Sequence, residues 1–323
     1  MNNEMSKTRQ MLIEGYIESL EQEQIPWRKG WGNGDSQHNP ITNTFYRGIN
    51  QLLLNYIYDE RRYEDPRWLT FNQIMNEGWT LENAKGQGVP LEKWGIYDRE
   101  EKKYINVSDM KKIIAEEQLE GREVDARFCW SCKTFTVFNA SLVKGIEKYE
   151  IIRNEFDIDE VGFEMIKNYC DATDLAIIEG RQSNGRAFYN KTYDTVYVPD
   201  RYCFDDSYEY LATILHECCH STGHPNRLNR NMLNEHDEYA FEELRAEIGS
   251  SFLCGDLGLD ISNTRIDNHK AYIQSWISGF KEKPNVLLSA INDAKKITDY
   301  IENKGELSEI IERQKCVIQG RKR

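Results

Sequence analysis

The stretch HECCHSTGH at residues 216–224 constrains the fold of this chain more than any other feature. On an α-helix, side chains four residues apart lie on one face, so His216 and His220 can ligate the same ion while Glu217 lies beside them. The sequence therefore predicts a helix that carries two metal ligands and a candidate general base, Glu217. A surface helix that matches this short pattern by chance is the alternative interpretation.

A hydrolytic zinc ion needs three protein ligands and one open position. The pattern HExxHxxGxxH would place its third histidine at residue 226, which is Asn226. The glutamate-type zincin pattern instead uses a glutamate from a following helix, and FEELRAE at residues 241–247 offers Glu243 and, four residues on, Glu247. We expect Glu243 as the third ligand and Glu247 as the acid behind a histidine, or as the ligand itself. His224 is an alternative ligand or a polar residue that packs after the helix.

The expected metal is Zn²⁺, with another divalent ion such as Mn²⁺ possible, and the expected reaction is peptide hydrolysis by a zinc metallopeptidase. Glu217 would accept the proton of the attacking water. The segment TVYVP at residues 195–199 is the expected edge strand that holds a peptide substrate. Tyr189, Tyr193 and Tyr197 are candidates for stabilising the oxyanion.

The length of 323 residues fits two domains, and we expect an α+β protein with domains at residues 1–150 and 151–323 joined near Ile151–Asp159. Helical periodicity predicts helices at 207–222 and 239–257, and alternation predicts a hairpin at 187–198. Residues 98–125 read as an exposed insertion with one helix, and residues 128–139 read as a strand.

The charge of −13 argues against a protein that coats duplex DNA by bulk electrostatics. The sequence shows neither a secretion signal nor an apolar run long enough for a membrane span, so we expect a cytoplasmic protein with no membrane partner. The eight cysteines are then reduced thiols. Cys129 and Cys132 form a single CxxC, whose role stays open.

Aromatic and basic residues interleave in the first 70 residues around a glycine-rich loop. Aromatic rings stack on unpaired bases and cations follow the nucleic-acid backbone, so these residues are candidates for binding single-stranded DNA. A tryptophan-rich core with incidental surface cations is the alternative. The candidates are Trp27, Arg28, Lys29, Trp31, Tyr46, Arg47, Arg67 and Trp68.

Several long motifs follow one another in order within residues 25–301: PWRKGW, NPITNTFYRGINQLLL, YEDPRWLTFNQI, FTVFNASL, YDTVYVPD, YLATILHECCHSTGHPNRLNR, YAFEELRAEIGSSFLCGDLG and NHKAYIQSWI. Together they resemble the ArdC family of antirestriction proteins, which mobile elements encode. The resemblance implies a single-stranded-DNA-binding domain before a zincin-like metallopeptidase domain, with single-stranded DNA and an unidentified protein or peptide as partners. A structural metal in a protein that only coats DNA, or a regulatory metalloprotease with no restriction role, are the alternatives.

Overall fold

The computed structural model describes residues 5–28, 36–119, 126–150, 156–230, 236–259 and 270–321. Contacts divide the chain into two compact units. Unit 1 comprises Met1–Pro66 and Glu147–Arg323, and unit 2 comprises Arg67–Ile146. Helices and strands are both present, and the α+β fold class is confirmed.

The helices, in chain order, are α1 (Lys7–Glu21), α2 (Gly48–Glu60), α3 (Phe71–Asn76), α4 (Val107–Leu119), α5 (Ile158–Thr173), α6 (Ser207–Ser221), α7 (His236–Leu257), α8 (Lys270–Glu282), α9 (Asn285–Gly305) and α10 (Leu307–Arg321). The strands are β1 (His38–Asn39), β2 (Thr44–Phe45), β3 (Trp68–Thr70), β4 (Thr80–Leu81), β5 (Val89–Asp98), β6 (Lys103–Ile105), β7 (Phe128–Asn139), β8 (Val143–Lys144), β9 (Ala176–Glu179), β10 (Phe188–Asn190) and β11 (Thr195–Val198). The helices and strands expected in the insertion, at residues 128–139 and around residues 216 and 243 are thereby confirmed.

The two units group the chain differently from a division at residue 150. Within unit 1, α1 packs against α8 and α2 packs against α9, so the first 66 residues share a core with the C-terminal helices. The physical reason is the burial of apolar side chains, since α1 and α2 bury Leu12, Tyr16 and Leu52–Leu54 completely. The second edge of unit 2, at Ile146, lies close to the expected boundary. Residues 151–155 of the expected linker lie outside the described residues.

Unit 1 contains a three-stranded sheet with the order β10-β11-β9. Strand β11 pairs antiparallel with β10 and parallel with β9. The prediction that residues 195–199 form an edge strand is therefore wrong, because β9 covers the side of β11 that the hairpin leaves open. Within the described part of the chain, β10 pairs with β11 alone and is the edge next to α6.

Helices α6 and α7 form the centre of unit 1. Asp206 caps α6 by accepting a hydrogen bond from the Glu209 amide at 2.7 Å. Gly249 on α7 faces Cys219 on α6, where an added Cβ would lie 3.3 Å from the sulfur. This glycine permits the close approach that brings the acidic residues of α7 to the histidines of α6. Cys218 and Cys219 are fully buried in this packing, as expected of small apolar residues.

Unit 2 is built on a four-stranded antiparallel sheet with the order β3-β7-β5-β6. The ten-residue β5 pairs with β7 along its whole length, from Val89 opposite Val137 to Asp98 opposite Phe128. The core of unit 2 contains Leu69, Ile74, Ala140 and Val143. The capping box of α3, in which Thr70 and Gln73 bond reciprocally, fixes the turn that follows β3.

Candidate metal centre

Two histidines and one glutamate converge in the core of unit 1. His216 and His220 lie one turn apart on α6, and their Nε2 atoms are 3.1 Å apart. From α7, Glu243 places Oε2 at 3.6 Å from Nε2 of His216 and Oε1 at 3.6 Å from Nε2 of His220. These residues form the one group of potential metal ligands found among the described residues.

The spacing of the three donors fits a small divalent cation. Zinc–nitrogen and zinc–oxygen bonds of about 2.0–2.1 Å in a tetrahedron separate neighbouring ligand atoms by roughly 3.3 Å. The observed separations of 3.1 and 3.6 Å bracket that value. Two imidazoles and one carboxylate are also a donor set of catalytic zinc sites, with a fourth position left for solvent.

Each of the two histidines has a carboxylate near its Nδ1 atom. Oε1 of Glu247 lies 3.2 Å from Nδ1 of His216, and Oε1 of Glu242 lies 3.5 Å from Nδ1 of His220. A carboxylate at Nδ1 holds the proton there and presents Nε2 as the ligand atom. The structure thus places Glu247 in the position expected of the outer acid, and Glu242 in a second such position.

The sequence reasoning missed the role of Glu242. Its carboxylate accepts hydrogen bonds from Arg230 at 2.6 Å and from Arg245 at 3.4 Å. Arg230 also donates to the carbonyl of Cys219 at 3.0 Å, which ties the loop after α6 to α6 itself. In the sequence, Arg230 resembles an ordinary loop cation, and only the pairing of consecutive glutamates at 242 and 243 hinted at two separate roles.

The imidazoles and carboxylates of this cluster shift one another's pKa values. Burial lowers the pKa of His220, but the carboxylates of Glu242 and Glu243 outweigh burial and raise that pKa to about 9. Burial likewise opposes the charged form of His216, while Glu243 and Glu247 raise its pKa well above the usual range. Burial raises the pKa of Glu242, whereas His220 and Arg230 lower it to about 2. A bound cation would take the place of protons on the two imidazoles.

Other expected site residues fall into different surroundings. Glu217 is buried on α6 next to His216. Nδ1 of His224 accepts a hydrogen bond from the Asn226 amide at 3.3 Å, which is polar packing, and His224 is absent from the ligand group of the described residues. Tyr239 on α7 is a tyrosine that the sequence reasoning did not single out. Burial, the Glu243 carboxylate and Tyr272 together raise its pKa.

The three tyrosines expected near the oxyanion belong to the β10–β11 hairpin. The Tyr189 hydroxyl donates to Asp194 at 2.8 Å, Tyr197 stacks on Phe188, and Tyr193 is largely exposed. Asp194 in turn accepts two hydrogen bonds from Arg227, at 2.7 and 2.8 Å. Because Arg227 also donates to the carbonyl of Ser221 at 2.9 Å, this buried arginine fastens the hairpin to the end of α6.

Comparison with known proteins matches two consecutive segments of the chain, which differ from the two compact units. Residues 6–138 match the family model of the N-terminal domain of anti-restriction factor ArdC, and residues 164–293 match a zincin-like metallopeptidase. The crystal structure of the antirestriction ArdC protein from the R388 plasmid, in its Mn(II)-bound form, superimposes with a TM-score of 0.70 at 28% identity over 93% of this chain and 98% of that one. The metal-free form of that protein gives the same TM-score at 27% identity. This chain belongs to the ArdC family.

Longer relatives of this ArdC-family chain include two Escherichia coli proteins named DNA primase TraC. They are 32% and 30% identical to it over 90% of its length. The chain spans only 27% and 20% of these primases. An uncharacterised protein of Sinorhizobium fredii, y4eC, is 27% identical over 86% of this chain and 84% of its own length.

The structure contradicts three of the expected DNA-binding residues of this ArdC-family chain. Trp27 and Trp68 are 0% exposed and Tyr46 is buried, so their rings have no free face for a base. Arg47 forms an ion pair with Asp256, and Arg67 is half-buried. Lys29, Trp31 and the side chain of Arg28 lie outside the described residues. Composition could not distinguish buried from exposed rings, because both uses need the same residues.

Cys129 and Cys132 lie on β7, where residues three apart point to opposite faces of the sheet. The two thiols of this CxxC therefore do not face one ion or one another. None of the helices in the described part of the chain has the length and apolar character needed to cross a membrane.

Proposed function

We propose that this ArdC-family protein is a metal-dependent peptidase and that the ion is Zn²⁺, with Mn²⁺ as the alternative. The observation that carries the proposal is the convergence of His216, His220 and Glu243, with Glu217 on the same helix as the two histidines. When bound, a divalent ion supplies Lewis acidity that polarises a peptide carbonyl and lowers the pKa of water. The match to zincin-like metallopeptidases supports the same reaction class.

The protein's own residues supply the proton transfers. Glu217 accepts a proton from the attacking water and delivers it to the nitrogen of the leaving amine. Glu247 and Glu242 keep the two imidazoles oriented throughout, because each carboxylate lies within 3.5 Å of an Nδ1 atom.

Strand β10 is the proposed docking site for the peptide. It is the sheet edge that packs next to α6, and an extended peptide can add to such an edge through backbone hydrogen bonds. Phe188 on β10 is 38% exposed and offers an apolar contact to a substrate side chain. Fastening of the hairpin by Arg227 and Asp194 fixes the distance between this edge and the metal ligands.

Substitution of Glu217 by glutamine tests the proposal directly. The wild-type protein, loaded with Zn²⁺, should cleave labelled casein or members of a peptide library, and the Glu217→Gln variant should retain one equivalent of metal but lose roughly 100- to 10,000-fold in rate. Glu209→Gln, eight residues earlier on α6, is the matched control and should keep full activity. Cleavage that is absent from wild type, or unchanged in Glu217→Gln, would favour a structural metal instead.

We propose single-stranded DNA binding as a second function, carried by unit 2. In the β5–β7 ribbon, residues 92–98 paired with 128–134, Trp94 lies opposite Cys132 and Trp130 opposite Ile96, so the two tryptophans share one face. They are 50% and 67% exposed. Lys93 and Lys133 lie opposite each other on the other face. The exposed rings on one face suit the stacking of unpaired bases, and the lysines on the opposite face supply cations for the phosphates of a strand that crosses the ribbon.

Filter binding or fluorescence titration with a single-stranded oligonucleotide tests this surface. The double variant Trp94→Ala and Trp130→Ala should weaken binding by about 1–3 kcal/mol for each base that loses its stacking partner. Tyr202→Ala, which removes an 84% exposed ring from unit 1, is the control and should bind as wild type does. Equal affinity of all three proteins across a salt series would exclude the ribbon as the DNA-binding surface.

Both functions together would serve antirestriction, as the name of the R388 relative states for that protein. Restriction of incoming plasmid DNA can be compared in cells that express wild type, Glu217→Gln or the double tryptophan variant. Loss of protection with the tryptophan variant alone would assign protection to DNA binding. Loss with Glu217→Gln alone would assign it to proteolysis, full protection with both variants would assign it to neither activity, and absence of protection by wild type would leave a role outside restriction.

A further inference from the structure

Trp27 belongs to the N-terminal region of the chain but lies in the core of unit 1. Its ring packs edge-on against Trp276 at 5.2 Å between centroids and is tilted against Tyr16 at 6.0 Å. The hydroxyl of Ser251, on α7, donates to the backbone carbonyl of Trp27 at 2.7 Å. Both the ring and the backbone of Trp27 are therefore fixed relative to α7.

The indole nitrogen of Trp27 reaches one of the carboxylates of the metal centre. Nε1 donates to Oε2 of Glu247 at 3.4 Å. The other oxygen of the same carboxylate, Oε1, lies 3.2 Å from Nδ1 of His216. Glu247 is only 3% exposed, so its two oxygens depend on buried donors rather than on bulk water.

We propose that Trp27 is a positioning residue for the metal centre, acting through Glu247 on His216. This inference rests on the proposed metal site. A carboxylate held at one oxygen can rotate about its terminal torsion, whereas donors at both oxygens fix its plane. With that plane fixed, the Nδ1 hydrogen bond keeps the His216 ring in the orientation in which Nε2 faces His220 and Glu243.

The two sides of the metal centre are then supported by different donors. Glu242, behind His220, is held by the cations Arg230 and Arg245. Glu247, behind His216, receives a neutral indole N–H from a residue 220 positions earlier in the chain. The zincin-like segment at residues 164–293 consequently lacks one of the donors that order its own metal ligands.

A Trp27→Phe variant separates this role from core packing, because phenylalanine keeps an apolar ring and removes the N–H. Zn²⁺ affinity of the full-length protein is measured by competition with a chromogenic chelator. Loss of the acid that contacts a ligating histidine costs about 10- to 100-fold in metal affinity. We expect that loss for Glu247→Gln, and a smaller loss of about 3- to 10-fold for Trp27→Phe.

The double variant provides the decisive comparison. Because Trp27 acts through Glu247, Trp27→Phe should cause no further loss of Zn²⁺ affinity in the Glu247→Gln background. Trp276→Phe is the matched control, since the Trp276 indole donates at 2.7 Å to the backbone carbonyl of Ala240 rather than to Glu247. Additive losses in the double variant, or an equal loss in Trp276→Phe, would overturn the proposal and leave Trp27 as a core residue.

Absorption of the Co²⁺-substituted protein gives a second measurement that packing alone would not change. The d–d bands should shift in Trp27→Phe and Glu247→Gln but stay in place in Trp276→Phe. If Trp27→Phe does not fold, Ser251→Ala loosens the same residue and should weaken Zn²⁺ binding only when Glu247 is present. Absence of metal from wild type would refute the proposed metal site itself, whereas equal affinity of wild type and Trp27→Phe would refute this inference alone.

Discussion

The candidate metal centre of unit 1 and the β5–β7 ribbon of unit 2, the proposed DNA-binding surface, place their side chains in opposite surroundings. At the metal centre, Glu242 and Glu247 are nearly inaccessible and each is held by two or more donors. On the ribbon, Trp94 and Trp130 expose half or more of their surface. An ion needs ligands that are oriented before it arrives, whereas base stacking needs only an accessible ring face. We therefore expect substitutions to be far more costly at the first site than at the second.

Charge separates the two regions as well. Unit 2 contains 12 basic and 12 acidic residues, whereas the rest of the chain contains 29 and 42. The entire net charge of −13 therefore falls on unit 1. The net charge of unit 1 therefore disfavours a polyanion such as single-stranded DNA, whereas the balanced net charge of unit 2 does not.

The largest effect expected at the buried site is the loss of metal in Glu243→Ala or His216→Ala. Removal of a metal ligand should reduce Zn²⁺ affinity more than removal of an acid that only contacts a ligating histidine, so the affinity should fall by more than about 100-fold. Inductively coupled plasma mass spectrometry of the purified variants measures this loss. Glu309→Ala, an exposed glutamate on α10, should keep one equivalent. Full metal content in both ligand variants would contradict the site.

Arg230→Ala tests the buried site through the stability of the protein rather than through its metal content. This change leaves the buried Glu242 carboxylate without its closest cation, and Arg245 compensates only in part. The free energy of unfolding should fall by about 2–3 kcal/mol. Urea unfolding of the metal-free protein measures it. A change below about 0.5 kcal/mol would show that the buried network is less coupled than its geometry indicates.

Stability without metal should also depend on pH. The carboxylates of Glu242 and Glu243 raise the folded pKa of His220 to about 9. The stabilising interaction between these carboxylates and the His220 imidazolium is therefore fully present below about pH 6.5 and is lost as pH rises through 9. The midpoint of thermal unfolding of the apoprotein should fall by a few degrees across this window. The shift produced by saturating Zn²⁺ should grow over the same range, since fewer protons compete for the imidazoles. An apoprotein midpoint that stays level or rises from pH 6.5 to 9.5 would contradict the assigned charges.

The smallest effect is expected for Trp130→Ala on the ribbon. Since this ring is 67% exposed, its removal should change the free energy of unfolding by no more than about 0.5 kcal/mol. The same substitution should still weaken single-stranded DNA binding in the titration described above. A large loss of stability would show that Trp130 packs within the protein, and the contrast between the two regions would then fail.

The sequence predicts the convergence of His216, His220 and Glu243 well because their geometry is local. His216 and His220 are fixed by helical periodicity, and Glu243 follows from the spacing of a second helix. Glu242 was not predicted, because its partners Arg230 and Arg245 come from a loop and a helix whose approach depends on tertiary packing. The register of a single helix cannot reveal which cation will lie beside it.

The position of each strand and ring was harder to predict for the same reason. Strand β11 becomes central only because the four-residue β9, which carries little signal of its own, pairs with its second edge. Trp27 and Trp68 were expected at a surface, and both are buried. Residue type indicates that a tryptophan will find a partner, but whether that partner is a base or Trp276 depends on contacts far along the chain.

The contact between Trp27 and Trp276 also determines when the core of unit 1 can form during translation. About 250 residues must be translated after the first ring before the second exists, which takes roughly 12 to 50 seconds at 5–20 residues per second. During that interval α1 and α2 have apolar side chains without their final partners, while the 80 contiguous residues of unit 2 are already complete. A nascent chain of this protein should therefore gain protease resistance in unit 2 first, and the N-terminal helices should depend on chaperones until α8 and α9 leave the ribosome.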